Sequence, residues 1–158
     1  MRILTIKCSI AALIVAVITV TSAAAQDARL LDEFGDFCCE SFRARMDNFF
    51  TELLSRPSEK GVAIFYGGRS HPICAKNRSP KRGEIELIMK TFENHMKLRG
   101  IHRERIEIKF GGFREAWGAE FWAAPQVGVA PHPKQTVPES TVKFKSGRAK
   151  LLDLRCEP

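Results

Sequence analysis

The sequence predicts a single α/β domain, an α+β sandwich in which two helices pack on a mixed sheet. Two stretches of the chain place apolar residues at three- and four-residue steps, which is the spacing of one helix face. Short runs rich in β-branched and aromatic residues lie between and after these stretches. The resulting order of helix, strand, helix, strand and strand predicts a parallel strand pair joined by the second helix. The last strand then returns and makes the sheet mixed.

The first 25 residues predict export. Arg2 and Lys7 give a positively charged start, an apolar run follows over 10–20, and small residues lead to Ala25. This is the pattern of a signal peptide that is cleaved after its small residues. The apolar run is too short to persist as a transmembrane anchor. We therefore expect a periplasmic or extracellular protein with no transmembrane anchor once residues 1–25 are removed.

The charge of the chain favours anionic partners. Its formal net charge is +7, and removal of the two positive charges in the signal segment lowers it to +5. Such an excess attracts anionic surfaces, including cell-wall and lipid components. Nucleic acid is not expected as a partner of an exported protein.

Four cysteines remain after the signal segment: Cys38, Cys39, Cys74 and Cys156. An even number of cysteines in a small exported domain predicts two disulfides. A bond between the adjacent Cys38 and Cys39 would be strained, so each is expected to pair with either Cys74 or Cys156. Both of these connectivities stay open.

The two helices are predicted over Cys39–Ser55 and Glu84–Leu98. In each, the apolar side chains form one stripe opposite charged residues, which indicates packing against a core. Pro57 ends the first helix, and Gly100 closes the second as a C-cap glycine. Residues 26–37, ahead of the first helix, carry clustered acids and are predicted to be a mobile segment.

Three strands complete the predicted core. The nearly all-apolar run Val62–Tyr66 suits a central strand and is bounded by Gly67–Gly68. The run Arg105–Phe110 alternates apolar and polar residues, so one face is expected to be buried, and it ends at Gly111–Gly112. The run Ala119–Ala123 is predicted to return beside this second strand.

Prolines mark the chain from residue 125 onward. Four of them fall within 125–139, which predicts a polar linker. In the tail over 140–158, Thr141–Lys145 alternates and is a candidate edge strand. A disulfide through Cys156 is predicted to dock this tail on the domain.

Three of these segments carry a family resemblance. They are Val62–Tyr66 with its Gly67–Gly68 exit, the helix end over 97–101, and the strand that follows Arg103. In this order, residues 38–124 resemble the C-terminal domain of OmpA-like proteins, the peptidoglycan-binding module of bacterial envelopes. A second resemblance, to a group of uncharacterised exported bacterial proteins, is carried by Leu31–Gly35, Tyr66–Arg69, Gly111–Glu115 and Glu120–Trp122.

The resemblance implies a peptidoglycan site, but the residues that would form it differ. OmpA-like domains hold the diaminopimelate of the stem peptide with an aspartate after the first strand of the crossover and an arginine on the next helix. Here Ser70 stands at the aspartate position, and Ile88 and Lys90 are nearest to the arginine position. A hydroxyl and a point charge do not replace a carboxylate and a guanidinium fork. The resemblance therefore implies the fold, with peptidoglycan as one candidate ligand.

A basic segment between the first strand and the second helix is the candidate binding site. Residues 69–82 contain five Lys and Arg residues and no acid. They follow a strand and precede a helix N-terminus, which favours an anion, and Gly67–Gly68 would let a ligand approach the backbone. The residues assigned to this anion site are Arg69, Ser70, Arg78, Lys81 and Arg82.

Catalytic, cofactor and metal sites are not predicted. Ser70 and His71 are neighbours, but no acid is evidently placed to orient the imidazole. The histidines and Cys74 lack the paired spacing of zinc ligands. We expect a non-catalytic cell-envelope binding module for an anionic cell-wall or surface component. The alternative is a structural or protein-partner adaptor that uses the proline linker and the tail.

Overall fold

A computed structural model of the protein describes residues 27–35, 39–73 and 76–150. Its helices and strands, in chain order, are β1 Arg29–Phe34, α1 Cys39–Leu54, β2 Glu59–Ile73, β3 Lys76–Arg78, β4 Lys81–Arg82, α2 Glu84–Leu98, β5 Ile106–Ala116, β6 Gly118–Pro125 and β7 Lys145–Arg148. The predicted signal peptide lies outside the described residues, as do Cys38, Cys74, Cys156 and the side chain of Cys39. The two disulfides therefore stay predictions.

The main sheet has five strands and is mixed, which confirms the α/β class. Strand β2 pairs with β5 in parallel and with β6 antiparallel, and β1 lies antiparallel on the far side of β6. Helix α2 connects the two parallel strands, as predicted. The prediction that the last core strand lies beside β5 was wrong. The almost wholly apolar β2 takes the central place between β5 and β6, where both of its edges and both of its faces are covered.

Strands β2 and β5 are longer than predicted because neither one stops at its glycine pair. Gly67 and Gly68 stay in the parallel ladder and pair with Phe113 and Arg114. A Cβ atom on Gly67 would lie 2.4 Å from the Phe113 ring, and one on Gly68 would lie 2.1 Å from the backbone nitrogen of Trp117. These glycines therefore permit close packing inside the sheet and do not mark its exit.

The N-terminal segment contains a strand that the sequence analysis missed. Residues 29–34, within the predicted mobile segment 26–37, form β1 on the edge of the sheet. Phe34 is buried, and its ring lies 5.3 Å from that of Phe121 and 5.9 Å from that of Trp117. Arg45 on α1 donates to both carboxylate oxygens of Asp32, at 2.6 and 2.7 Å. Two of the acids that suggested mobility, Asp32 and Glu33, thus lie in a strand whose Leu31 and Phe34 pack on the core.

Both helices pack on one face of the sheet, as their apolar stripes predict. The Phe49 ring of α1 stacks on Phe121 of β6 with centroids 4.7 Å apart, and Phe92 of α2 lies 5.5 Å from Phe65 of β2. The end of α2 forms a Schellman motif, with Gly100 at φ 69° and the Ile101 amide donating to the carbonyl of Met96 at 3.0 Å. No helix in the described residues is both long and apolar enough to cross a membrane.

On the opposite face of the sheet, a polar network surrounds the buried carboxylate of Glu120. Tyr66 Oη and Trp122 Nε1 donate to Glu120 Oε2 at 3.1 and 3.0 Å, and Arg114 donates to Oε1. The guanidinium carbon of Arg114 lies 3.4 Å from the centroid of the Tyr66 ring. Arg114 also donates to the carbonyl of Lys134, at 3.2 Å. The network therefore holds part of the proline-rich segment against the sheet.

The titration of Tyr66 tests this network. Burial raises the pKa of the Tyr66 hydroxyl, and the Glu120 carboxylate raises it further. Tyr66 is the only tyrosine of the chain, so phenolate absorbance reports it alone. We expect the folded protein to titrate above the ordinary value of about 10, and the denatured protein near it. The stability that Tyr66 contributes is therefore present below about pH 10 and lost as the pH rises through the folded pKa.

Absorbance titrations with and without denaturant give both midpoints directly. Equal midpoints in the two conditions would contradict the buried environment assigned to the hydroxyl.

The C-terminal segment docks through apolar contacts. Val137, inside the predicted linker 125–139, is buried and bridges to Phe113. It joins Val142 and Phe144 in a small cluster around Phe113. The predicted edge strand over 141–145 is displaced, because the chain forms β7 at Lys145–Arg148 and pairs it in parallel with β4. A separate two-stranded sheet results, in addition to the five-stranded one.

Candidate functional site

The predicted basic segment is largely strand in the part that the structure describes. Its described residues form the end of β2, the short β3 and β4, and the approach to α2. The fold also brings in carboxylates from elsewhere in the chain, although the segment itself contains none.

Arg69 and Ser70 are held by strand β5. Arg69 lies 3.0 Å from Glu115 Oε1 and donates to Thr141 Oγ1 at 3.0 Å. Ser70 Oγ donates to the carbonyl of Glu115 at 3.3 Å, and the Ser70 carbonyl accepts from the Trp117 amide at 3.0 Å. These contacts join β2, β5 and the C-terminal segment, and they partly neutralise the charge of Arg69.

Arg78 belongs to a largely buried cluster with His71 and Glu84. Arg78 donates to Glu84 Oε1 at 2.5 Å, and His71 Nδ1 lies 2.7 Å from Glu84 Oε2. The imidazole also stacks on the Trp117 ring, with centroids 5.5 Å apart. Glu84 thus orients His71, contrary to the sequence analysis, which found no such acid. The sequence contained one indication of this contact. Glu84 lies in the first turn of α2, so it is close to the strands that precede the helix.

The ionisation of Glu84 follows from these contacts. Burial by itself raises the pKa of the Glu84 carboxyl, but the hydrogen bonds with His71 and Arg78 outweigh it, and the pKa lies below its ordinary value. The helix N-terminus also favours the charged form. Glu84 therefore balances the charge of Arg78 within this cluster.

Lys81 and Arg82 lie on β4, where the fold adds two further cations. In the parallel register, Lys81 stands beside Lys145 and Arg82 beside Arg148. We call these four residues the basic sheet. Arg82, Lys145 and Arg148 are exposed, and Lys81 is half-buried.

Carboxylates offset little of the charge of Arg82, Lys145 and Arg148. Arg82 lies 3.9 Å from Glu139, at the outer limit of an ion pair, with both side chains mostly exposed. Within the described part of the chain, Lys145 and Arg148 form no ion pair with a carboxylate. Like charges at neighbouring positions of a ladder repel each other, so Arg82, Lys145 and Arg148 leave an excess of positive charge on this surface.

A cavity of about 330 Å³ adjoins the basic sheet. It lies between the carboxyl-terminal part of β2, the first turns of α2 and the segment that leads into β7. Its wall is mainly apolar and is formed by Ile85, Met89, Phe110, Phe113, Trp117 and Phe144. Lys81 and Arg82 line it together with the buried His71 and Glu84. The guanidinium of Arg82 lies over the Phe144 ring, 4.5 Å from its centroid.

The glycine pair contributes to this cavity in a different way from the one expected. Gly67 and Gly68 line it, but the Phe113 ring and the chain at Trp117 occupy the space where their Cβ atoms would be. The close approach that the glycines allow is therefore made by the protein itself and not by a ligand.

The described residues hold no group of three or more His, Cys, Asp or Glu side chains arranged to bind a metal ion. The two cations of β7, Lys145 and Arg148, were not assigned to the site from the sequence, because they come from the predicted tail.

No family model, curated protein or solved structure matches this chain.

Proposed function

We propose that the protein is a non-catalytic binding module of the cell envelope or the extracellular space, with an anionic cell-wall or surface component as its ligand. The observation that carries this proposal is the basic sheet. Its strands come from distant parts of the chain and set Lys81 beside Lys145 and Arg82 beside Arg148. A bound anion would relieve the repulsion within each pair.

The surroundings of the basic sheet favour an anion further. The N-terminus of α2 directly follows β4, and its first-turn amides carry partial positive charge, which Glu84 and Glu86 of that turn partly offset. The site also lies near the carboxyl end of the parallel strand β2, where open α/β sheets bind ligands. Of the five residues assigned from the sequence, Lys81 and Arg82 belong to this site. Arg69, Ser70 and Arg78 support the structure beside it.

We also propose that the domain is a diverged OmpA-like domain of an exported protein. Support comes from the parallel pair β2 and β5 joined by α2, from the antiparallel β6, and from the two helices on one face. The proposal of export rests on the signal-peptide pattern of residues 1–25. Peptidoglycan is the first ligand to test, with its binding site moved to the basic sheet.

Co-sedimentation of the purified, oxidised protein with peptidoglycan over a salt series tests the proposal. We expect binding at low salt that weakens as the salt concentration rises, because added ions screen exposed charges. The double variant K145A/R148A should bind about tenfold more weakly, which corresponds to about 1.4 kcal/mol.

The matched control is K60A/K97A, which removes the same net charge from exposed positions on β2 and α2. Equal binding by the two double variants would contradict a localised site, since it would reduce the effect to net charge alone. An absence of binding at low salt would exclude peptidoglycan as the ligand.

The adaptor alternative has one observation in its favour. Val127 and Val129, in the proline-rich segment, are 91% and 55% exposed. Exposed apolar residues on an irregular segment can serve as a contact for another protein. A pull-down of one defined protein that resists salt and is lost in the variant V127S/V129S would favour this alternative.

A further inference from the structure

We infer that the cavity beside the basic sheet binds the apolar part of an anionic ligand: a carboxylate or phosphate group joined to an aliphatic or aromatic group of about ten non-hydrogen atoms. This inference rests on the proposed anion site and names the chemistry of its ligand. The anionic group would sit against the basic sheet, and the apolar group would enter the cavity.

The wall of the cavity selects an apolar group. Phe110, Phe113 and Phe144 form a continuous aromatic surface, with successive ring centroids 5.5 and 5.9 Å apart. Ile85 and Met89 of α2 face the same space. Phe110 is 47% exposed, so apolar surface continues from the cavity to solvent. Sites with mainly apolar walls and a few convergent polar groups are typical of small-molecule binding.

The charges around the cavity select an anion over a cation. The inner carboxylate, Glu84, is already engaged by Arg78 and His71, so it does not offer a free negative charge. Glu86 and Glu139 are exposed, and the four cations of the basic sheet outnumber these two carboxylates. Lys81 and Arg82 line the cavity directly, and the other cations of the basic sheet stand beside them.

The volume sets the size of the apolar group. Liquid water occupies roughly 30 Å³ per molecule, so a cavity of about 330 Å³ accommodates about ten non-hydrogen atoms. An eight-carbon chain therefore fits within the cavity, with its polar head outside it. A two-chain lipid does not fit as a whole, although one short chain or one aromatic ring does.

Calorimetric titration with octyl phosphate and octanoate tests the inference. The controls are 1-octanol, which has the chain without an anionic head, and inorganic phosphate, which has the head without a chain. Both whole ligands should bind, each about a hundredfold more tightly than inorganic phosphate, because the chain leaves water. Octanol should bind more weakly than either. Binding of octyl phosphate alone would assign a phosphate head, and binding of octanoate alone a carboxylate head.

Two variants separate the parts of the site. M89W fills the cavity from the half-buried face of α2, and it should weaken octyl phosphate binding about tenfold or more while inorganic phosphate binding is unchanged. K145A/R148A should weaken both phosphate ligands and leave octanol binding unchanged. Thermal unfolding verifies that each variant is folded, and I85W replaces M89W if the latter is not.

Octyl phosphate that binds no better than inorganic phosphate, or binds M89W as well as the wild type, would overturn the inference. The proposed function fails separately: it falls if K145A/R148A and K60A/K97A bind peptidoglycan and inorganic phosphate equally. Octyl phosphate binding that depends on Met89 but not on Lys145 and Arg148 would overturn the anionic part of the inference.

Discussion

Replacing Gly68 by alanine is expected to lower the free energy of unfolding by about 3 kcal/mol or more, a loss that lowers the Tm by roughly 10 °C. The added Cβ would lie 2.1 Å from the Trp117 nitrogen and 2.3 Å from the Ser70 carbonyl oxygen. Both atoms belong to the backbone, so no side chain can turn away to make room. The hydrogen bond from the Trp117 amide to the Ser70 carbonyl would have to break or lengthen.

Gly118 provides the matched control for this substitution. It lies at the start of β6, and the nearest atom to its added Cβ is the Phe34 carbonyl oxygen at 3.3 Å. We expect G118A to cost about 1 kcal/mol or less, since its neighbours need to move only slightly. Urea unfolding of the two variants measures the difference. Equal stabilities would contradict the close packing of β2 on the Trp117 backbone.

Replacing Glu84 by glutamine has the second large expected effect. The amide cannot balance the positive charge of Arg78, which would stay largely buried without its counterion. Removing one partner of a buried ion pair costs roughly 3 kcal/mol or more. E86Q is the control, because Glu86 lies on the same helical turn but is exposed. We expect E86Q to change the free energy of unfolding by less than about 0.5 kcal/mol.

The effect of E84Q should depend on pH. Because the pKa of Glu84 is lowered in the folded protein, its contribution to stability is complete above the ordinary glutamate value of about 4.3. The contribution is lost as the pH falls through the lowered folded value. The stability difference between wild type and E84Q should therefore shrink in acid, as measured by urea unfolding at several pH values. A difference that is constant with pH would contradict the charged state of Glu84.

The helices and the central strand could be predicted because their signals are local. The stripe through Phe49 and the stripe through Phe92 set the helical faces, and the run Val62–Tyr66 marked the most buried strand. The strand ends could not be found in this way. A glycine pair marks either a turn or close packing, and only the positions of Phe113 and Trp117 show that it marks packing here.

Only part of the candidate site could be predicted, because its residues come from distant segments of the chain. Lys81 and Arg82 were identified, but the tail residues that complete the basic sheet pair with them only after folding. The carboxylates that contact the basic segment also come from elsewhere in the chain. Glu115 partly neutralises Arg69 from β5, and charge counts within residues 69–82 do not include it. Pairing across the fold, more than local composition, decides which cations stay available to a ligand.

The most direct test of the proposed anion site is a backbone NMR titration of the purified protein with soluble anionic peptidoglycan fragments. The account predicts that shifts concentrate on the amides of β4, the first turn of α2 and β7, around Lys81 and Lys145. Shifts centred on Ser70 and Glu115, or on Val127 and Val129, would contradict it. The former would place the ligand where OmpA-like domains hold theirs, and the latter would favour the adaptor.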